Sequence, residues 1–267
     1  MNTIGLFGKY PCPGRVKTRL ATELGPESAA QLYAAFMDDL TFRFRATGDR
    51  RVFGYSPGDA DRYFSQYEKF GYELWPQPEG ELGWKIVSFF KYALPGLNFG
   101  TRRDQGVRQG SDPDQEITVD LSPVVALDDR AILIGTDSPT LPIEFIHEAF
   151  EMLREVDCVL GPATDGGYYL IGLRRPAPAL FDHVAWSGPN VLRQTVQRIT
   201  TAGLTLGLLA PWYDIDTLAD LQMLAGHIRA MTHAGQTHPC PMTATVLKQL
   251  RLLDDPAWSP MAFILEK

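Results

Sequence analysis

The sequence predicts an α/β protein with a mostly parallel central sheet and helices on both faces. Three observations carry this expectation. Short apolar runs alternate with stretches of helical period along most of the chain. The most hydrophobic run, AILIGTD at 131–137, opens with four apolar residues in a row, the pattern of a central strand buried on both sides. Residues able to do chemistry cluster just after strands, where open α/β sheets bind their ligands. A chain of 267 residues, 45% apolar and 21% charged, is long and apolar enough for one large globular core.

Residues 3–8 read as the first strand. Residues 27–45 read as an amphipathic helix, with Ala29, Leu32, Phe36 and Leu40 on one face and Pro26 at its start. Strands follow at 51–56 and 71–75, separated by a short helix, and a helix spans 82–94. Residues 98–122, NFGTRRDQGVRQGSDPDQEITVDLS, are polar, glycine-bearing and without period, and read as a surface insertion. After the strand at 131–137 come a helix at 142–154 and strands at 157–162 and 167–173, joined by the turn Asp165-Gly166-Gly167. A helix at 189–202, a strand at 204–212 and a helix at 218–231 complete the pattern. The expected organisation is a single domain over 1–233 with a helical C-terminal appendix at 234–267.

The net charge of −7 argues against a general nucleic-acid binder, which needs a basic surface. Cys12, Cys158 and Cys240 form neither a CxxC pair nor an even set, and read as free thiols. The first strand begins at once, without a basic region followed by an apolar one, and no apolar run approaches the ~18 residues of a membrane span. The expected location is cytoplasmic, with no membrane span.

Against this acidic background the loop after the first strand, GKYPCPGRVKTRL, sets out Arg15, Lys17 and Arg19 with no acid between them. Glycines let backbone N–H groups approach a phosphate, and cations neutralise it. The spacing and order differ from the P-loop G-x-x-x-x-G-K-[ST], so a P-loop NTPase is not supported. If the stretch is extended, the three cations fall on one side. The other reading is a turn with solvated cations.

Asp137 ends the central strand. It is either a ligand for a hard divalent cation, whose shell a phosphate would complete, or a turn or cap residue. Asp214 and Asp216 point the same way if extended, which suits metal ligation, although Asp216 or Thr217 is also placed to cap the next helix. Asp165 at the same edge reads as a turn residue, and QPEGELG at 77–83 as a glycine-rich turn. Taken together, one cationic loop and several acids after separate strands have the layout of a metal-assisted phosphate or nucleotide site.

The stretch FGKYPCPGRVKTRL resembles the opening motif of the DUF2064 family, glycosyltransferase-like proteins akin to the 2-phospho-lactate guanylyltransferases. IGTDSPTL, GPATDGGYYLIGL, Trp186-Ser187 before a helix, and DIDTLADL match further blocks of that family in order, from about residue 3 to 223. The resemblance implies the GT-A, nucleotide-diphospho-sugar transferase fold. It implies a divalent cation, Mg or Mn, a nucleoside triphosphate or nucleotide-sugar, and a small acceptor.

Residue by residue, it implies a nucleotide and phosphate site of Phe7, Gly8, Gly14, Arg15, Lys17, Arg19 and Gly83. It implies catalytic roles for Lys17, Arg15 and Asp137, metal ligation by Asp137, Asp214 and Asp216, and an acceptor or sugar site at Asp165, Gly166 and Trp186. Where the family pattern reads D-L-G-x-R, this chain has Glu81-Leu82-Gly83-Trp84-Lys85. The expected function is a metal-dependent nucleotidyl- or glycosyltransferase. The alternative is a non-catalytic nucleotide-binding or regulatory module on the same fold. The base, the acceptor and the oligomeric state are not fixed by the sequence.

Overall fold

The structure is a computed structural model, described for residues 1–94 and 129–253 except 176 and 187. The 98–122 segment, Ser187 and the stretch beyond 253 lie outside the described residues. Among the described residues, seven strands form one sheet: β1 (Asn2–Lys9), β2 (Arg50–Ser56), β3 (Tyr72–Pro76), β4 (Arg130–Gly135), β5 (Cys158–Pro162), β6 (Tyr168–Leu173) and β7 (Leu206–Leu208). Their order is β3-β2-β1-β4-β6-β5-β7. Neighbouring strands are parallel except where β6 meets β4 and β5. The tight β5–β6 hairpin forces that reversal, because only antiparallel strands can be joined by so short a turn.

Helices α1 (Thr18–Leu24), α2 (Pro26–Arg43), α3 (Asp61–Phe64), α4 (Leu82–Ala93), α5 (Ile143–Met152), α6 (Val191–Thr201), α7 (Leu218–His233) and α8 (Pro241–Gln249) cover both faces. Strand side chains alternate between the faces with a period of two. Ile4, Leu6, Phe53, Ile132 and Ile134 pack on one side against Phe36 and Leu40 of α2, Ile146 of α5 and Leu224 of α7. Val52, Leu133, Leu160 and Ile171 pack on the other against Phe89 and Phe90 of α4 and Ile199 of α6. Each such fully buried side chain contributes roughly 1.5–3 kcal/mol. On the second face a Cβ at Gly5 would lie 2.3 Å from Phe89, so the glycine lets that ring rest directly on β1.

Helix α8 is tied to α2 through Asp39. Its carboxylate accepts the N–H groups of Met242 at 2.9 Å and Thr243 at 2.8 Å, and the Thr243 hydroxyl at 2.6 Å. An acid there satisfies donors that the start of a helix leaves without partners. Cys240 and Leu247 join the same core layer as α2.

Two sequence expectations change. The strand expected at 204–212 forms a ladder only over Leu206–Leu208. Beyond it Leu209 and Trp212 still donate singly to Leu160 and Pro162 of β5, but Pro162 and Pro211 have no N–H to give, so no regular ladder continues. The loop after β1 is also shorter than read, because α1 begins at Thr18.

The strand order sets the site. From β1 the chain moves to β2 on one side, and later returns to β4 on the other. Such a reversal opens a crevice at the carboxyl ends of the two strands.

Candidate functional site

The cationic loop begins where β1 ends. Tyr10 N–H donates to Ser56 O at 2.7 Å, and Arg15 N–H to Cys12 O at 3.0 Å, which closes a tight turn through Gly14 at φ 76°. Lys17, the residue before α1, has φ 46° and ψ 46°, the left-handed region. An L-residue there costs about 1–2 kcal/mol, so the rest of the site must hold it. The stretch is therefore not extended, and the condition for three cations on one side is not met. The left-handed turn sends Lys17 inward, while Arg15 and Arg19 stay exposed.

The Lys17 side chain is 4% exposed. Its ammonium sits between the Oδ1 atoms of Asp137 and Asp216, 2.8 Å from the latter. The Tyr33 and Phe36 rings lie 5.8 Å from it. Burial acts to lower its pKa. The charges and hydrogen bonds of the two aspartates outweigh burial and hold it above the usual lysine range, so Lys17 is charged.

Asp137 lies two residues past β4. It does not cap α5, whose N-cap is Pro142. Next to it, the Thr136 hydroxyl donates to Phe7 O at 3.0 Å and lies 2.9 Å from the Tyr33 hydroxyl, which in turn receives the Lys9 N–H at 3.0 Å. These bonds latch the ends of β1 and β4 together across the crevice.

The Ile215 N–H donates to Asp137 O at 2.9 Å and so brings the second acidic segment alongside. Residues 212–216 alternate in burial: Tyr213 and Ile215 are buried, while Trp212, Asp214 and Asp216 are partly exposed. Thr217 caps α7 in a reciprocal pair with Asp220, which leaves the Asp216 carboxylate to the crevice.

Asp165 has two connections. Its Oδ1 accepts the Gly167 N–H at 2.7 Å, the turn role expected of it. One carboxylate oxygen each from Asp165, Asp214 and Asp216 also lie within 4.8 Å of one another. Burial first, then the charges of Asp165, Asp216 and Asp137, push the Asp214 carboxyl up to about 6. Crowded oxygen ligands that repel one another in this way suit a hard divalent cation.

Lys9, Arg15, Lys17, Arg19, Tyr33, Asp137 and Asp216 line a cavity of about 270 Å³. Among the described residues, Lys9, Arg15 and Arg19 form no ion pair. The other sequence-derived positions lie elsewhere. Phe7 stacks on Trp75, and a Cβ at Gly8 would meet Phe53 at 2.6 Å. Gly14 serves the turn. A Cβ at Gly83 would sit 2.7 Å from Trp186 Nε1, so Gly83 and Trp186 pack on each other. Gly166, at φ 92°, lies so close to Pro189 that a Cβ would come within 2.3 Å of its carbonyl oxygen.

Sequence reasoning missed Lys9, Tyr33, Thr136 and Gln77. The Gln77 amide donates to Gly54 O at 2.7 Å and Gly8 O at 3.4 Å, bracing the ends of β1 and β2. Lys9 and Gln77 each sit at or just past a strand end, a signal that was there to use. Tyr33 keeps the helical spacing of a core residue and gave none.

No curated protein matches this chain. A protein from Desulfovibrio desulfuricans G20, provisionally named a nucleotide-diphospho-sugar transferase, has a solved structure that matches with TM-score 0.72 and 28% identity over 95% of this chain and 98% of its own. The 4-diphosphocytidyl-2C-methyl-D-erythritol synthase of Anaerococcus prevotii DSM 20548 matches with TM-score 0.49 and 10% identity over 86% and 96%. The inositol-1-phosphate CTP transferase of T. maritima matches with TM-score 0.47 and 16% identity over 88% and 97%. The fold is that of the nucleotide-diphospho-sugar transferases.

A family model described as an uncharacterized protein conserved in bacteria matches residues 41–188, more than half of the chain. That stretch holds Asp137 and Asp165, while the cationic loop and Asp214–Asp216 flank it. The chain belongs to the DUF2064 family.

Proposed function

We propose that the chain is a transferase whose donor is a nucleoside triphosphate or a nucleotide-sugar, held with Mg or Mn, and whose acceptor is a small molecule. One observation carries this reading: Lys9, Arg15 and Arg19, without ion-pair partners among the described residues, line one cavity with Asp137 and Asp216 at the crevice of the sheet, and Asp216 also belongs to the acidic trio. The nucleotide-diphospho-sugar transferase name of the Desulfovibrio relative, 28% identical across nearly the whole chain, supports it.

Arg15 and Arg19, with Lys9, would receive the phosphates. Their guanidinium groups offer paired donors that match phosphate oxygens. Asp214 and Asp216, with Asp165, would hold the divalent cation, and Asp137 lies close enough for its charge to act on Asp214. When bound, that cation would neutralise charge building on phosphate oxygens. Lys17 would keep Asp137 and Asp216 at a fixed separation rather than reach the phosphates itself.

Three cations on the cavity wall, Lys9, Arg15 and Arg19, suit the row of phosphates of a triphosphate. In nucleotidyl transfer, an acceptor oxygen would attack the α-phosphorus. The bond to the bridging oxygen would break, and pyrophosphate would leave with the electron pair. Rate would come from positioning and electrostatics, with no protein nucleophile.

The test is calorimetry of nucleoside triphosphates and nucleotide-sugars with Mg or Mn, followed by Arg15→Ala and Arg19→Ala. A charged hydrogen bond to phosphate is worth about 1.5–3 kcal/mol, so each variant should lose roughly 10-fold or more in triphosphate affinity. The bare nucleoside should be unaffected. An unchanged ratio of triphosphate to nucleoside affinity in both variants overturns the reading.

A further inference from the structure

Beside the acidic trio lies a second concavity, an open groove of about 600 Å³ between the β5–β6 turn and α7. We infer that this groove is the acceptor subsite of the transferase proposed above, and that it takes a small molecule with an apolar body, such as an aromatic ring or short alkyl chain, carrying a hydroxyl or phosphate head.

The groove continues the acidic site through the backbone. Trp212 and Tyr213 of the groove directly precede Asp214 in the chain. Thr164 of the groove directly precedes Asp165. A molecule lying on the Trp212 wall would therefore present its head to the trio.

The wall itself is apolar, because its polar atoms are used internally. The Trp212 indole N–H donates to Thr140 Oγ1 at 3.3 Å, and the Thr140 hydroxyl donates to Tyr213 at 2.7 Å. The Tyr213 hydroxyl in turn lies 2.7 Å from His227 Nδ1. What these groups leave for a ligand is ring surface. Met223, 49% exposed on α7, adds a flexible thioether to it.

The floor is opened by Gly226. Glycine is the least favourable residue for a helix interior after proline, yet Gly226 sits inside α7 and a Cβ there would meet nothing within 4 Å. That space is open to a ligand.

The experiment compares n-hexyl phosphate with glycerol 3-phosphate by ligand-observed NMR titration of the full chain in Mg²⁺. Two groove variants accompany the wild type, Gly226→Leu, which fills the space while improving helix propensity, and Met223→Asp, which charges the rim. Wild type should bind the hexyl ester roughly 10-fold or more tightly than the glycerol ester. Both variants should lose that preference and keep their melting temperature and metal-nucleotide affinity. Equal binding of the two esters by wild type, or a preference that survives in both variants, overturns the inference. Failure of the transferase reading is read separately, in the nucleotide titration of wild type.

Discussion

Replacing Lys17 by methionine tests the central geometric feature of the site. Methionine keeps much of the length and packing against Tyr33 and Phe36 but removes the charge between Asp137 and Asp216. Breaking a fully buried ion pair by removing one partner costs about 3–5 kcal/mol. Here the lysine is buried, but the two aspartate side chains are 45% and 38% exposed, so water screens them once the lysine is gone. A discounted cost of about 1–3 kcal/mol follows.

In a chain of this size that is a fall in melting temperature of roughly 3–10 °C. Urea denaturation in EDTA should report the loss, and Mn²⁺ should restore much of it, because a divalent cation supplies the missing positive charge. In a double-mutant cycle, Asp216→Asn made on top of Lys17→Met should cost less than in wild type, with a coupling of about 1–2 kcal/mol. Additive effects together with no response to Mn²⁺ would refute the idea that Lys17 holds the two carboxylates together.

Three further outcomes are expected. Asp214→Asn should weaken Mn²⁺ binding roughly 10-fold or more, measured by electron paramagnetic resonance of the free ion; unchanged affinity removes Asp214 from the ligand set. Gly166→Ala should cost about 2 kcal/mol or more in urea denaturation, since φ 92° is strained for alanine and its Cβ would strike the Pro189 carbonyl; a loss below about 0.5 kcal/mol would mean that the turn simply moves aside. Asp157 governs an acid response. Burial acts to raise its pKa, but the Thr205 N–H and hydroxyl, Arg174 and Arg175 outweigh burial and hold it below the ordinary value. Its contribution is therefore present above the unfolded pKa of about 3.9 and is lost as pH falls toward the lower folded value. Asp157→Asn should cost about 1–3 kcal/mol at neutral pH and clearly less near pH 3, and a pH-independent cost would contradict the sign.

Much of the fold was legible because its signals are local. The unbroken apolar run AILI of β4, the short apolar runs of the other strands and the three- and four-residue steps of α2 each report burial without knowledge of the partner. The hairpin at Asp165-Gly166-Gly167 was legible for the same reason. The end of the last strand was legible only in part: Pro211 lies within the segment, but the loss of the ladder over 209–212 also depends on a proline of its partner strand, Pro162 of β5. Acids after strands were also legible as a class. Their grouping was not: the oxygens that converge belong to Asp165, Asp214 and Asp216, and the turn residue Asp165 joins them only because the β5–β6 hairpin and the 212–216 segment meet at the bridge between Ala163 and Trp212.

The cationic loop marks the limit of sequence reasoning. Charge and glycine content mark it as a candidate place for an anion, and they say nothing about which cation faces outward. That is decided at Lys17 by a left-handed backbone angle which no glycine or asparagine advertises. The angle is unfavourable by itself. It persists because it delivers the ammonium to two carboxylates from strands far apart in the sequence, and neither aspartate is near the loop until the sheet has formed. A local strain supported by long-range ion pairs means the loop and the acidic segments order together. The arginines are then left exposed on a loop whose position is set by the acids, so the exposed cations and the carboxylates are fixed relative to each other before any ligand arrives. For chemistry that depends on positioning more than on a reactive side chain, that mutual dependence is the property that matters.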